Sequence, residues 1–465
     1  MSSHRLPRVF IAAAALLMVV ALTPAGASPS PSTSVGLIGP SSVDFLTGAD
    51  QTNPIELPRV ADDVLERFAE ESSDGSGIDV ALIDTGVAPV DGLDGADKVL
   101  HGPDLSFEGQ SPEAAYLDTF GHGTHMAGII AGDRQGQEGI APGARIVSVK
   151  VAGHDGVTTV PQVVAAIDWV VEHRNSDGLN IRVLNLSLGQ AGISTHSGDS
   201  LSAAVERAWD AGIFVVVAAG NRGSTQGHLD SPAIDPYVLA VGASDDTTGL
   251  DEENQPVPAW SSRGSKSRKP DLVAPGRSIA SYRVPGSTAD VANPSARYGN
   301  DLFIGSGTSQ AAAVTSGVAA RMFDHYPYMD ANELKQSLTD EADTDLGYSR
   351  KIIGNGVIDA EDSWESPQFG VSTPSHPRAT GSGTGLTAPT GSTWSGGTWS
   401  GATWSGSTWS GSTWSGGTWS GATWSGTTWS GSTWSGSTWS GGTWSGATWS
   451  GTTWSGGTWS GSTWS

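Results

Sequence analysis

Cysteine is absent from all 465 residues. That excludes disulfides, thiolate nucleophiles and thiolate zinc sites, so stability must come from a sizeable core, with or without bound ions. Positive charge is scarce: 24 Lys and Arg stand against 48 Asp and Glu, a net charge of −24. Nucleic acid and anionic membranes are therefore poor partners. An acidic surface suits solubility, salty surroundings or bound Ca²⁺, and charge alone chooses none of these. Long apolar runs are missing after residue 22. The one such run, Val9 to Leu22, follows Arg5 and Arg8 and precedes Ala25-Gly26-Ala27, the pattern of a cleaved secretory signal over residues 1–27. A membrane anchor is the competing reading, but the run is short for a bilayer core of roughly 30 Å and a cleavage site follows at once. The expected product is secreted, extracellular or cell-surface associated. Without Arg5 and Arg8 its net charge goes from −24 to −26.

The rest divides by composition. A short N-terminal segment, 28–54, precedes a stretch, 55–364, of alternating β-branched and Ala-rich runs, long enough for one large domain. Strands are expected at 78–84, 144–151, 181–188, 212–220 and 237–243, their near-continuous hydrophobicity suiting a parallel sheet buried on both faces. Helices are expected at 160–174 and 199–212, with apolar residues at helical spacing and Gly near or beyond the end. The βαβα order predicts an α/β fold with right-handed crossovers.

Residues 365–390 turn to Ser, Thr, Pro and Gly and read as a flexible linker. Residues 391–465 are fifteen G-x-T-W-S pentads without a charge, and the block at 406–430 recurs unchanged at 431–455. Fifteen of the nineteen tryptophans lie there. Glycine and serine cost much entropy to order, which favours a disordered tail. Such an aromatic load is unusual for a solvated linker. An extended run would send successive indoles to opposite faces, because five is odd. Stacking on polysaccharide, a solenoid with five-residue sides and self-association are the competing outcomes.

Chemistry gathers at three places. Asp84 ends a strand in IDTG (83–86), where open parallel sheets build active sites. HGTH (122–125) opens an Ala/Gly-rich helix, and Ser309 stands at the mouth of another in GSGTSQAAA (305–313). An acid, an imidazole and a hydroxyl in this order are the parts of a nucleophilic triad. His122 and His125, three apart, could share an ion on one helix face. A zinc helix of the H-E-x-x-H kind needs them four apart with a glutamate between, and Gly123 and Thr124 intervene instead.

Together VALIDTGV (80–87), HGTHMAGIIAG (122–132), NLSLG (185–189), AAGN (218–221), KPDLVAPG (269–276), GTSQAAA (307–313) and GNGVIDA (354–360) resemble the subtilases, the subtilisin-like (S8) serine peptidases. The resemblance implies a three-layer α/β domain with a mainly parallel sheet and serine endopeptidase activity on proteins or peptides. Asp84, His122 and Ser309 would form the triad, Asn221 would be the oxyanion donor, and His125 would be structural. Ser187, Leu188 and Gly189 would offer an edge to an extended peptide, with Ala219 and Gly220 near the pocket for the residue before the cleaved bond. Pro232, in DSPA (230–233), matches a family position that is often cis.

The departures are Gln310, where the family commonly has Met, Ala313, where it has Pro, and an N-terminal segment too short for a full inhibitory pro-domain. The resemblance implies no cofactor for the chemistry and leaves structural Ca²⁺ open. The acidic loops 91–97 and 245–254 lack an EF-hand pattern and read first as solvated loops, so no ligands are assigned. An idle peptidase-like scaffold that serves the tail as a surface-binding protein is the alternative function.

Overall fold

A computed structural model of the chain describes residues 54–65, 73–245, 256–344, 347–372 and 376–379 in full, and the backbone of short strands at 37–38 and between 393 and 464. The signal and most of the N-terminal segment therefore lie outside the described residues, as do residues 246–254 of the second acidic loop.

Seven parallel strands build the central sheet: β1 Asp79–Asp84, β2 Val99–Asp104, β3 Arg145–Lys150, β4 Ile181–Leu186, β5 Phe214–Ala218, β6 Leu239–Ser244 and β7 Leu272–Pro275. Their order is β7-β6-β5-β4-β1-β3-β2. β1 pairs with β3 on one side and β4 on the other, so Asp84 ends the strand where the order reverses, the place such sheets keep for ligands. Every residue of β1, β5 and β6 is buried, as a sheet covered on both faces requires.

The five strands expected from hydrophobicity are all present, each end within two residues of its expected place. β2 and β7 were not expected. Both are edge strands, and VLHGPD and LVAP are too short or too polar to give a continuous apolar run.

Helices α1 His122–Ala131 and α4 Thr308–His325 pack together, as do α2 Val160–His173 and α3 Ser200–Asp210. α2 starts on a capping box between Thr159 and Gln162, and α3 on Asp199, whose carboxylate accepts from the Ser202 N–H. Such caps contribute about 1 kcal/mol each. α4 is rich in Ala and Val and runs buried from Thr308 to Phe323, so it belongs to the core. A second sheet pairs Ile279–Tyr282 with Leu302–Gly305, and the latter strand delivers the chain to the start of α4.

Leu37–Ile38 pairs antiparallel with Thr158–Thr159 just before α2. At the other end, residues 376–379, within the stretch expected to be linker, stay on the domain. Tyr237 donates to the His376 carbonyl (2.8 Å), the Ala379 N–H donates to Glu206 (2.7 Å), and Arg378 lies 3.8 Å above the Tyr237 ring.

In the tail the strands are Thr-Trp-Ser triplets, the last cut to Thr463–Trp464, and each of the first eleven pairs parallel and in register with the one 20 residues on, as in Trp394↔Trp414↔Trp434. Four pentads thus return the chain to the same sheet, and four such sheets result. A return every 20 residues is what a solenoid with five-residue sides would require.

Gly317 tests the packing of α4. A β-carbon there would stand 2.5 Å from Ile140 Cβ. Alanine gains about 1 kcal/mol of helix propensity, while overpacking costs about 1–3 kcal/mol. Gly317→Ala should therefore lower the midpoint of thermal unfolding. An unchanged or higher midpoint would mean that Ile140 yields freely.

Candidate active site

Asp84 and His122 meet at the sheet's C-terminal end. Both are buried, and the His122 Nδ1–H donates to the Asp84 carboxylate at 2.8 and 2.9 Å from its two oxygens. Asp84 also accepts the Thr85 N–H at 2.7 Å. Nδ1 is thereby the protonated nitrogen of the neutral ring, and Nε2 carries the lone pair. Burial alone would lower the pKa of this imidazole. The Asp84 charge and hydrogen bond, with a smaller push from Asp118, outweigh burial and raise it above the ordinary value.

His122 is the first residue of α1, and Gly121 before it has φ +106°, a left-handed turn that favours glycine. The cap of this helix comes from Asp118, which sequence reasoning passed over. Its buried carboxylate accepts from the N–H groups of Gly121 (2.6 Å) and Thr124 (2.8 Å) and from the Thr85 hydroxyl (2.8 Å). Thr85 in turn accepts the Gly123 N–H at 2.9 Å. Lys150, at the end of β3, holds the preceding loop through Glu108 (2.7 Å) and the Leu117 carbonyl. Asp three or four residues ahead of a helix start is the signal that could have revealed this cap.

His125 behaves as the resemblance implies. It is buried, its Nε2–H donates to the Phe303 carbonyl at 3.0 Å, and burial lowers its pKa to about 3, so the ring stays neutral. Among the described residues no group of three His, Cys, Asp or Glu could hold a metal ion. In the first acidic loop Asp91 pairs with Arg134 at 3.1 Å.

Ser309 is the second residue of α4 and is 4 % exposed. Its Oγ donates to the Ser187 carbonyl at 3.0 Å, and the Ser187 hydroxyl donates to the Ser309 carbonyl, also at 3.0 Å. Asn185 donates to that Ser187 hydroxyl at 2.9 Å and accepts from Ser316 of α4 at 2.9 Å, tying β4 to the helix.

Asn221 follows β5. The Thr308 N–H and hydroxyl lie 2.9 and 3.0 Å from its Oδ1. A backbone N–H can only donate, so the facing atom is the oxygen, and Nδ2 remains the donor end. Nδ2 is 3.1 Å from where a Gly307 β-carbon would be, beside the start of α4. Gly220, at φ +105°, donates its N–H to the Thr308 hydroxyl at 3.0 Å. Thr308 is thus a second group that sequence reasoning passed over. Ser187, Leu188 and Gly189 continue β4 beyond its last ladder pair, Leu186↔Val217, and Ala219 and Gly220 continue β5 alongside. The Ser231–Pro232 bond is cis, as expected.

Comparison with known proteins identifies the family. Residues 75–356 match the model of the subtilase family, Peptidase_S8. The chain belongs to that family. It is 35% identical to the serine protease AprX of Bacillus subtilis over 62% of this chain and 66% of that one. To subtilisin DY of Bacillus licheniformis it is 33% identical, over 67% of this chain and 98% of that one. Among solved structures it resembles fervidolysin of Fervidobacterium pennivorans, a keratinolytic enzyme related to subtilisin, with a TM-score of 0.54 and 26% identity over 70% of this chain and 48% of that one. The chain therefore spans just under two thirds of AprX and about half of fervidolysin.

Histidine NMR tests these electrostatics. The His122 ring should titrate above the ordinary value of about 6.5, and lower in Asp84→Asn. His125 should show no titration between pH 5 and 8. A His125 midpoint inside that range would contradict its burial.

Proposed function

We propose that this subtilase is a secreted serine endopeptidase in which Asp84, His122, Ser309 and Asn221 perform the chemistry. The observation that carries the reading is the buried, two-oxygen hydrogen bond from His122 Nδ1 to Asp84. It fixes the tautomer whose Nε2 can take a proton and stabilises the imidazolium that results.

Ser309 Oγ attacks the substrate carbonyl carbon as its proton passes to His122 Nε2. The oxygen of that carbonyl becomes an oxyanion, which the Asn221 Nδ2–H and the Ser309 N–H at the start of α4 stabilise. His122 then protonates the leaving amine and the acyl-enzyme forms. Water, deprotonated by His122, releases the acid and restores the hydroxyl. No step requires a cofactor. An extended peptide is held along Ser187, Leu188 and Gly189, with Ala219 and Gly220 on the other side. The tail tethers the enzyme to polysaccharide or the cell surface, a reading supported by its in-register tryptophan strands and its lack of charge.

Ser309→Ala should lose on the order of 10⁶ in kcat, and Asn221→Ala roughly 10²- to 10³-fold, in protein that still unfolds cooperatively; these are family magnitudes measured in subtilisin. His122 must be neutral to act and its pKa is raised. Activity should therefore rise with pH through a midpoint above about 6.5, and full activity at pH 5 would contradict the role given to His122. Deleting residues 391–465 should leave turnover of a small peptide unchanged while abolishing pull-down on insoluble glycan or cell wall. Equal pull-down of both proteins would remove the tether.

A further inference from the structure

Gln310, the neighbour of Ser309 in the first turn of α4, has no part in the steps above. The residue is only 2 % exposed, and its Oε1 is closed to solvent without a hydrogen-bond partner. A buried amide oxygen in that state is unfavourable, so its surroundings show what it is placed to accept.

The side chain folds back across backbone that carries glycine at two points. A β-carbon on Gly305 would stand 2.6 Å from Gln310 Nε2 and 3.0 Å from His125 Nε2, and one on Gly307 would stand 2.9 Å from Gln310 Oε1 and 3.1 Å from Asn221 Nδ2. The Gln310 amide therefore reaches from His125 to Asn221, nitrogen at one end and oxygen at the other. His125 spends its Nε2–H on the Phe303 carbonyl. At the far end the facing group is a donor, because Asn221 Oδ1 is the atom held by the Thr308 N–H and hydroxyl. Turning the Gln310 amide over would set two NH₂ groups against each other, so its oxygen belongs beside Nδ2. Measured through the Gly307 position the two atoms are within about 6 Å, a gap that rotation about the Gln310 side-chain bonds can close.

Thr308 fixes only one edge of the Asn221 amide. Nδ2 carries two hydrogens, and if one goes to the oxyanion the other calls for an acceptor on the enzyme. We propose that Gln310 is a positioning residue for the oxyanion donor: with substrate bound, its Oε1 accepts the second Nδ2 hydrogen and holds the amide plane, so that the first points to the oxygen of the cleaved bond. This rests on the peptidase reading of Ser309 and Asn221. Because that oxygen becomes an anion only on attack, an amide so held lowers the barrier and leaves substrate binding alone. The rival is a Gln310 that merely fills space between α4 and the strand Leu302–Gly305.

The test is a double-mutant cycle on the full-length protein with a tetrapeptide p-nitroanilide. Gln310→Met keeps the length and flexibility of the side chain and removes the acceptor. It should lower kcat about tenfold with KM within about twofold of the parent, the mark of an interaction made in the transition state. In an Asn221→Ala background, where no amide is left to hold, the same substitution should change kcat by less than about twofold. Gln310→Leu supplies the same comparison if the Met variant fails to fold. An equal loss in both backgrounds, a loss through KM alone, or full activity of the single variant overturns the assignment and leaves Gln310 as packing. Labelling of Ser309 with a fluorophosphonate separates the two levels of the argument. A labelled, active enzyme without coupling between Gln310 and Asn221 overturns the role of Gln310 alone, whereas an unlabelled and inactive one overturns the peptidase reading and this inference with it.

Discussion

The cap on α1 is the constraint on which the site depends. Asp118 is buried and, among the described residues, makes no ion pair with Lys or Arg. Four N–H or O–H donors around a carboxylate, three of them at the positive end of a helix, offset much of its desolvation. Because Thr85 belongs to the turn after Asp84, that one carboxylate fixes the start of α1 to the end of β1. The Asp84–His122 distance then follows from backbone geometry and not from two long side chains searching for each other. Asp118 also adds negative charge near the imidazole, so the group that positions His122 contributes to its raised pKa.

A similar economy holds on the other side. Thr308 gives both its N–H and its hydroxyl to Asn221 Oδ1, and that hydroxyl accepts the Gly220 N–H. The residue next to Ser309 thus orients the amide proposed as the oxyanion donor. Ser187 and Ser309 exchange hydroxyl and carbonyl bonds across β4 and α4. Three strand ends and two helix starts converge, and each tie is short in space and long in sequence. Such preorganised donors lower a barrier because they need not reorient when charge develops.

That pattern explains what could be read from residues alone. Buried parallel strands are written as unbroken runs of Val, Ile and Leu, so β1 and β3 to β6 were legible and with them the class of fold. Asp84, His122, Ser309 and Asn221 stood in motifs whose order was informative. β2 and β7 were hidden because an edge strand needs less apolar sequence than a central one. Asp118 and Thr308 were hidden for another reason: a polar residue at a helix start reads as an ordinary cap, and only the fold reveals that its bonds end on the segments that carry the proposed catalytic residues. In the tail, the pentad repeat was obvious, while the 20-residue pairing is not, because identical pentads offer every register that is a multiple of five.

The scarcity of positive charge noted at the outset acquires a structural meaning in the domain. Many of the few cations hold backbone or buried acids in place. Lys335 donates to the carbonyls of Pro236, Tyr237 and Val238 at 2.7 to 3.3 Å, and Arg268 to those of Ala233 and Val238 at 3.0 and 3.2 Å. Both pair with Asp271. Burial lowers the Lys335 ammonium to about 8, with Asp271 opposing the shift. Converging carbonyl dipoles are a setting that suits a hard metal cation, and here the chain supplies the charge itself. The segment so anchored begins immediately after cis-Pro232, and Asp230 lies just before it. That turn is thereby braced by covalently attached cations, in a chain that has no cysteine to form a disulfide.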